Sequence, residues 1–219
     1  MAYARKTYKK ANKRKASPWY NKRYSAKDLA LQALQQAKML RGIINSEKHV
    51  QDTNHVSNAQ NFIFRLVNIT QGSNSDNRQG NSILLKSIYI RGQIEINPVV
   101  TGNTRYTLAI VRDEQQIADT TPSLGDIWQD ATDSESMLNK TTAGRFKVIW
   151  RTTRYLTPSS GGKPVALIDK FVKLNNHIRF NGTTAADLQK GGYYLCLLTS
   201  EGVNFPTLNV QARLSFYDN

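Results

Sequence analysis

The clearest pattern in the chain lies near its end. TLNVQARLSFY at 207–217 puts Leu208, Val210, Ala212, Leu214 and Phe216 at every second position, the period of a strand with one buried face. ILLKSIYIRGQIEIN at 83–97 alternates over most of its length, with Leu84, Ile88, Ile90, Ile94 and Ile96 on one side. Gly92 interrupts that row and predicts a bulge or a close backbone approach. FIFRLVNI at 62–69, TRYTLAIVRD at 104–113 and GRFKVIWRTTRYL at 144–156 read as further strands. In the last of these Phe146, Val148 and Trp150 face one way, and Arg145, Lys147 and Arg151 face the other. That basic side is either a solvated face or a second contact for phosphates. GYYLCLLTS at 192–200 is continuously apolar, as expected of a strand covered on both faces, whereas IDKFVKLNNHIRFN at 168–181 alternates poorly. Seven strands result, separated by turns rich in Gly, Pro, Asn and Ser and without βαβ repeats, which suits a sandwich or jelly roll.

Helical periodicity is confined to two places. Over 26–44, Leu29, Ala30, Ala33, Leu34, Ala37, Leu40, Ile43 and Ile44 fall on one broad half of a helix, with Ser25 as N-cap and Asp28 three residues on. That stripe must pack on its own domain or on helices of other copies. In the long connection 114–143, Thr121 and Pro122 predict the N-cap and first residue of a short helix, SLGDIW. Residues 45–61 are polar and read as a connector.

Charge changes the picture at one end only. The chain of 219 residues has a net charge of +14, with 30 Lys and Arg against 16 Asp and Glu. Ten of the cations and none of the acids lie in residues 1–27. Like charges with little apolar surface cannot close as a core, so residues 1–24 are expected to be a disordered arm that needs a polyanion. Its candidate nucleic-acid contacts are Arg5, Lys6, Lys9, Lys10, Lys13, Arg14, Lys15, Lys22 and Arg23, followed by Lys27 in the helix. Trp19 and Tyr20 add rings that can stack on unpaired bases, which favours a single strand over a duplex. The run at 9–15 also has the composition of a nuclear localisation signal.

Chemistry is sparse elsewhere. One cysteine, Cys196, excludes an intrachain disulfide, and its apolar setting reads as a buried thiol. His49, His55 and His177 are isolated, without ligand spacing. Asp169, His177 and Ser160 could be imagined as a triad, but no nucleophile elbow surrounds the serine. There is no phosphate-binding Gly-rich motif, and no apolar run approaches the roughly 18 residues of a membrane span. The chain is expected to be a non-enzymatic binding or building protein, soluble and made inside a cell, with no membrane insertion.

Several stretches in this order resemble the single jelly-roll coat proteins of small T=1 viruses. These are the coat protein of satellite tobacco necrosis virus and the capsid proteins of circular single-stranded DNA viruses that are similar to it. The stretches are ITQGSNSDNRQGNSILLKSIYIRGQIEIN at 69–97, IVRD at 110–113 and TTPSLGDIW at 120–128, then GRFKVIW at 144–150, KLNNHIRFNGTTAAD at 173–187 and PTLNVQARLSFYDN at 206–219. The resemblance implies an all-β body, an eight-stranded viral jelly roll of two facing four-stranded antiparallel sheets. The eighth strand would come from a split at Gly92 or from within 168–181. It divides the chain into a basic arm (1–24), an arm helix (25–45) and a shell domain (46–219), with about 60 copies closing into an icosahedral shell. No cofactor is required, but the resemblance implies calcium at subunit contacts, through Asp218 and the carbonyls of Gln79 and Ser82. Asp76 lies near a second acidic position, where GSNSD replaces two adjacent acids.

The partners implied are other copies of the chain, a single-stranded viral genome (circular DNA favoured over satellite RNA), a nuclear import receptor and a host receptor. The locations implied are the virion and the host cytoplasm and nucleus. The alternative is a non-capsid β-sandwich that binds single-stranded nucleic acid.

Overall fold

β3 (Ser82–Glu95) is the strand on which the larger sheet is built, because it pairs along nearly its whole length with β6 (Val165–Phe180) on one side and β9 (Thr207–Asp218) on the other. The computed structural model describes residues 26–44, 48–116, 119–158 and 162–218. Beyond β3, β6 and β9 the strands are β1 (Lys48–Ser57), β2 (Phe62–Arg65), β4 (Thr104–Asp113), β5 (Phe146–Leu156), β7 (Leu188–Lys190) and β8 (Gly192–Thr199). They form two antiparallel sheets, β1-β9-β3-β6-β7 and β2-β8-β4-β5, the interleaved order of a jelly roll. The expected two sheets of four gain a short fifth strand, β7, which pairs with the end of β6.

Alternate residues of both sheets meet in one layer. β9 contributes the expected row Leu208, Val210, Ala212, Leu214 and Phe216, all essentially inaccessible to solvent. β3 contributes Ile83, Leu85, Ile88, Ile90 and Ile94, and β8 contributes Tyr193, Leu195 and Leu197. The expected β3 row is corrected at its start. A bulge between Leu85 and Ser87 shifts the phase, so Ile83 and Leu85 enter the core in place of Leu84. Gly92 is therefore no bulge. It marks close approach, since a Cβ built there would lie 2.1 Å from the carbonyl oxygen of Asn209 on β9.

The eighth strand is β1, not a split of β3 or of 168–181. The polar 48–57 segment pairs residue for residue with β9, from Lys48 opposite Tyr217 to Ser57 opposite Leu208. Its core-side positions are His49, Gln51, Thr53 and His55, while Val50 and Val56 point outward, which hides the strand from a hydropathy pattern. Polar side chains are tolerated there because each rests on a specific partner. The Gln51 side chain donates to the Asn68 carbonyl and accepts from the Asn68 N–H, the ring of His49 stacks on Phe216, and His55 stacks on Phe64 at 3.6 Å between centroids. β6 alternates poorly for the same reason. Lys170 lies 5.8 Å from the Trp150 ring centroid, and Asn176 donates to the Tyr193 hydroxyl at 2.8 Å.

The short helix α2 (Leu124–Ile127) begins two residues later than the expected Thr121–Pro122 start. Ser123 is its N-cap, in a capping box whose hydroxyl accepts from the Asp126 N–H while the Asp126 carboxylate accepts from the Ser123 N–H at 2.8 Å. The Ser123 hydroxyl and then the Ser123 N–H, both donating to it, hold the Asp126 carboxyl below the usual carboxylate range.

α1 (Ala26–Ile44) belongs to a unit apart from residues 45–219, and its bounds agree with the periodicity. Leu29, Leu34 and Leu40 on its apolar stripe are 53, 52 and 58% exposed. Ser25, its expected N-cap, lies outside the described residues. No helix among the described residues is long and apolar enough to cross a membrane.

Two consequences can be measured. Gly92→Ala forces a methyl group against the backbone of β9, and should cost about 3 kcal/mol or more in denaturant unfolding, at the upper end of overpacking. His55 acts through pH. Burial holds its pKa below the ordinary 6.5, so the folded state binds fewer protons than the unfolded one as that value is crossed. Its contribution is complete above about pH 6.5 and is lost as pH falls below it. Thermal melting temperatures should drop between about pH 7 and pH 5, and His55→Phe, which keeps a ring over Phe64, should flatten that drop.

Candidate nucleic-acid interface

The residues expected to contact nucleic acid separate into two groups. Arg5, Lys6, Lys9, Lys10, Lys13, Arg14, Lys15, Trp19, Tyr20, Lys22 and Arg23 lie outside the described residues. Lys27 sits exposed in the first turn of α1.

The basic side of β5 is exposed at Lys147 and Arg151, as a solvated face would be, but two of its three cations are already engaged within the body. Arg145 precedes the strand and grips Asp113, which is fully buried, with its Nε and a terminal nitrogen, the latter at 2.8 Å. That ion pair raises the guanidinium pKa further. Arg151 lies 5.2 Å from the Trp128 ring centroid and donates to the carbonyls of Ser136 and Ser134 at 3.1 and 3.4 Å. Only Lys147 of the three is an exposed cation without such a partner among the described residues.

The strand itself carries a register shift at Ile149, with Ile110 opposite Trp150 and Val111 opposite Val148. Phe146 and Val148 therefore pack in a second apolar cluster with Ala109, Val111, Ile127, Trp128, Cys196 and Leu198, while Ile149 and Trp150 pack against the main core. The 114–145 connection, through Ile127 and Trp128, lies over the outer face of the four-stranded sheet. Cys196 is sealed beneath it, and burial pushes its thiol up to about 12, so it is an inert core residue.

The outer face of the five-stranded sheet is open by contrast. Register places Asp52, Arg213, Tyr89 and Phe171 in one row across β1, β9, β3 and β6, and Asn54, Gln211, Arg91 and Asp169 in the next. Arg213 is held by Asp52 through two hydrogen bonds, and the Tyr89 hydroxyl donates to Asp169 at 3.4 Å. Arg91 makes no side-chain hydrogen bond or ion pair among the described residues. Phe171 is 59% exposed and Leu167 76%. Asp169 apart, none of these positions stood out in the sequence, because each is the outward member of an alternating pair and only register reveals that they are neighbours.

The expected calcium ligands can be tested against the geometry. The Asp218 carboxylate accepts the backbone N–H groups of Gln79 and Gly80, and the Gln79 carbonyl accepts the Gln71 side-chain amide at 2.6 Å. Ser82 pairs in the ladder with Arg179, and Asp76 is exposed on the turn. Calcium needs converging oxygens, and here the carboxylate meets hydrogen-bond donors, so one chain does not build a calcium cage from these residues. The turn is organised instead by Arg78. It is wholly buried, donates to the Gly80 and Gly182 carbonyls, and lies 3.9 Å from the Phe180 ring centroid. No group of three or more His, Cys, Asp or Glu among the described residues could hold a metal ion. Asp169 and His177 stand eight positions apart on β6, roughly 26 Å at the rise of an extended strand, and Ser160 lies outside the described residues. They do not form a triad.

Comparison with known proteins agrees with this picture of a sandwich carrying a cationic segment. The pattern of the geminivirus coat protein/nuclear export factor BR1 family matches residues 1–219. Capsid proteins of African cassava mosaic virus, from the Nigerian and West Kenyan 844 isolates, are 27% and 26% identical over 168 residues. The matched part covers 70% of this chain and 63% of each relative, so the chain spans less than two thirds of their length. Among solved structures, that of the 60-mer BFDV capsid protein covers 79% of this chain and 95% of that one at 9% identity, with a TM-score of 0.17, too slight a likeness to bear weight. The family match runs through both the cationic segment and the β body, and the chain belongs to the geminivirus coat protein/nuclear export factor BR1 family.

Proposed function

We propose that this chain is a viral capsid protein whose copies close into a T=1 icosahedral shell of about 60 subunits and package a single-stranded genome, DNA in preference to RNA. The observation that carries the reading is the separation of charge. Ten cations without an acid precede a body that is only mildly basic and that belongs to a coat-protein family. An arm of this kind binds phosphates by releasing counterions, and one copy would bind weakly and lose its grip in salt. Sixty arms inside one shell bring on the order of 600 positive charges to a single polyanion, and multivalency supplies the strength.

The same cluster at 9–15 fits recognition by a nuclear import receptor, consistent with a genome packaged in the nucleus before release as virions. The 114–143 connection, which lies over one sheet, is the surface we assign to host recognition. Any calcium held by Asp218 would require further oxygens from a neighbouring copy.

Two measurements test this reading. Light scattering of the purified protein should find particles on the order of 1.5 MDa, as closed symmetric assembly requires, and a monomer or small oligomer would favour the non-capsid alternative. Removal of residues 1–24 should leave shells that assemble but are empty. Truncated particles that still protect nucleic acid from nuclease would show that packaging lies elsewhere.

A further inference from the structure

The two sheets differ in what lies over their outer faces. Over the four-stranded sheet the 114–145 connection buries Trp128 and Ile127 and occupies Arg151. Over the five-stranded sheet the outward residues stay accessible, and they include an aromatic pair. Tyr89 and Phe171 are directly opposite each other on β3 and β6. A single exposed apolar residue needs no explanation. Here, however, the half-exposed ring of Phe171 stands beside a second ring, next to a guanidinium without a partner among the described residues.

The surface is also shaped. A cleft of about 360 Å³ is lined by Asp52, Asn54, Tyr89, Arg91, Gln211 and Arg213. A second, of about 500 Å³, runs past Gln93, Leu167, Asp169 and Asn209 and shares Arg91 and Gln211 with the first. The two clefts therefore flank one arginine.

Charge favours an anion. With Arg213 neutralised by Asp52 at 2.6 Å, the outward positions of β1, β3 and β6 still present Lys48, Arg91, Lys173 and Arg179 against Glu95 and Asp169. Amides line the two clefts at Asn54, Gln93, Asn209 and Gln211, and they can both donate and accept.

We propose that this open face is a stacking platform for single-stranded nucleic acid. Unpaired bases lie against Phe171 and Tyr89, Arg91 takes the phosphate between the two clefts, and Asn54 and Gln211 offer hydrogen bonds to base edges. Stacking needs base faces that a duplex keeps covered, so the platform selects single strands. The inference deepens the capsid reading and rests on it. The arm's cations would supply affinity without regard to strandedness, and this face would add to the preference for unpaired bases.

The test uses the full chain and a fluorescein-labelled oligo(dT) of about 20 nucleotides, followed by anisotropy over a salt series. Raised salt suppresses the arm's counterion-release contribution and leaves stacking. Phe171→Ala should weaken binding about fivefold to a hundredfold without changing the salt slope, and Phe171→Tyr should restore it. Arg91→Gln should weaken binding and lower the slope by about one. With an iodouracil-substituted oligonucleotide, photocrosslinks should map to Tyr89 or Phe171.

Unchanged affinity in both Phe171→Ala and Arg91→Gln overturns the platform, as does an equal loss on duplex DNA of the same length. Loss of particles with oligonucleotide binding intact would make the face a contact between copies, and would overturn it too. A wild-type chain that forms particles and protects nucleic acid while these variants behave normally leaves the capsid reading standing and removes only the platform.

Discussion

The fold depends on the single apolar layer between its two sheets, and that layer depends on how closely β3 and β9 can approach. At Gly92 the backbone of β9 occupies the space a side chain would fill. The contact draws the two central strands of the larger sheet together, so that Ile90 and Ile94 of β3 and Leu208 and Val210 of β9 meet the inward residues of β8 and β4. Apolar burial at about 25 cal/mol per Å² makes this layer the main stabilising term, and every other feature hangs on strands it has already fixed. β1 is the clearest case. Its polar core-side residues could not hold it alone, but ten paired positions along β9 place His49 and His55 over Phe216 and Phe64.

A second consequence is that the outer faces of the sheets are not equivalent. Both faces of β8 are buried, its odd-numbered residues from Tyr193 in the main layer and Cys196 and Leu198 beneath the 114–145 connection. That connection is pinned by the capping box at Ser123 and by the Arg145–Asp113 pair, whose buried carboxylate would be costly without its guanidinium. The covered face is closed by protein, whereas the outward residues of the opposite sheet, Phe171 and Leu167 among them, stay exposed.

Sequence reasoning reached the strands whose inward residues are apolar, as in β9 and β8, and the bounds of α1. It failed where the core side is polar. KHVQDTNHVS at 48–57 has the right period but the wrong chemistry, because its partners are rings and a backbone amide 9 to 167 residues away. It also misjudged the phase of β3 and β5, where bulges beside Lys86 and at Ile149 transfer residues from one face to the other. The cationic segment stands out by its composition alone, and its expected contacts, Lys27 apart, lie outside the described residues. The row Asp52, Arg213, Tyr89 and Phe171 was not, since register across four strands is a property of pairing and not of any one segment.

The arginines of the body sharpen the division of labour. Arg65, Arg78, Arg105, Arg112, Arg145 and Arg213 are each bonded to a carbonyl, a carboxylate or a hydroxyl within the body. Their charges are spent on turns and sheet edges, so a net charge summed over the body overstates what it can offer a polyanion. Screening weakens what remains, because solvent-exposed lysines spread over a sheet act across a Debye length of only about 8 Å at physiological salt. Electrostatic affinity must then come from cations that are close together and otherwise unengaged. The first 27 residues meet the requirement of density, and Arg91, between two clefts on an open sheet, meets the second at a single point where neighbouring rings can add what charge alone does not.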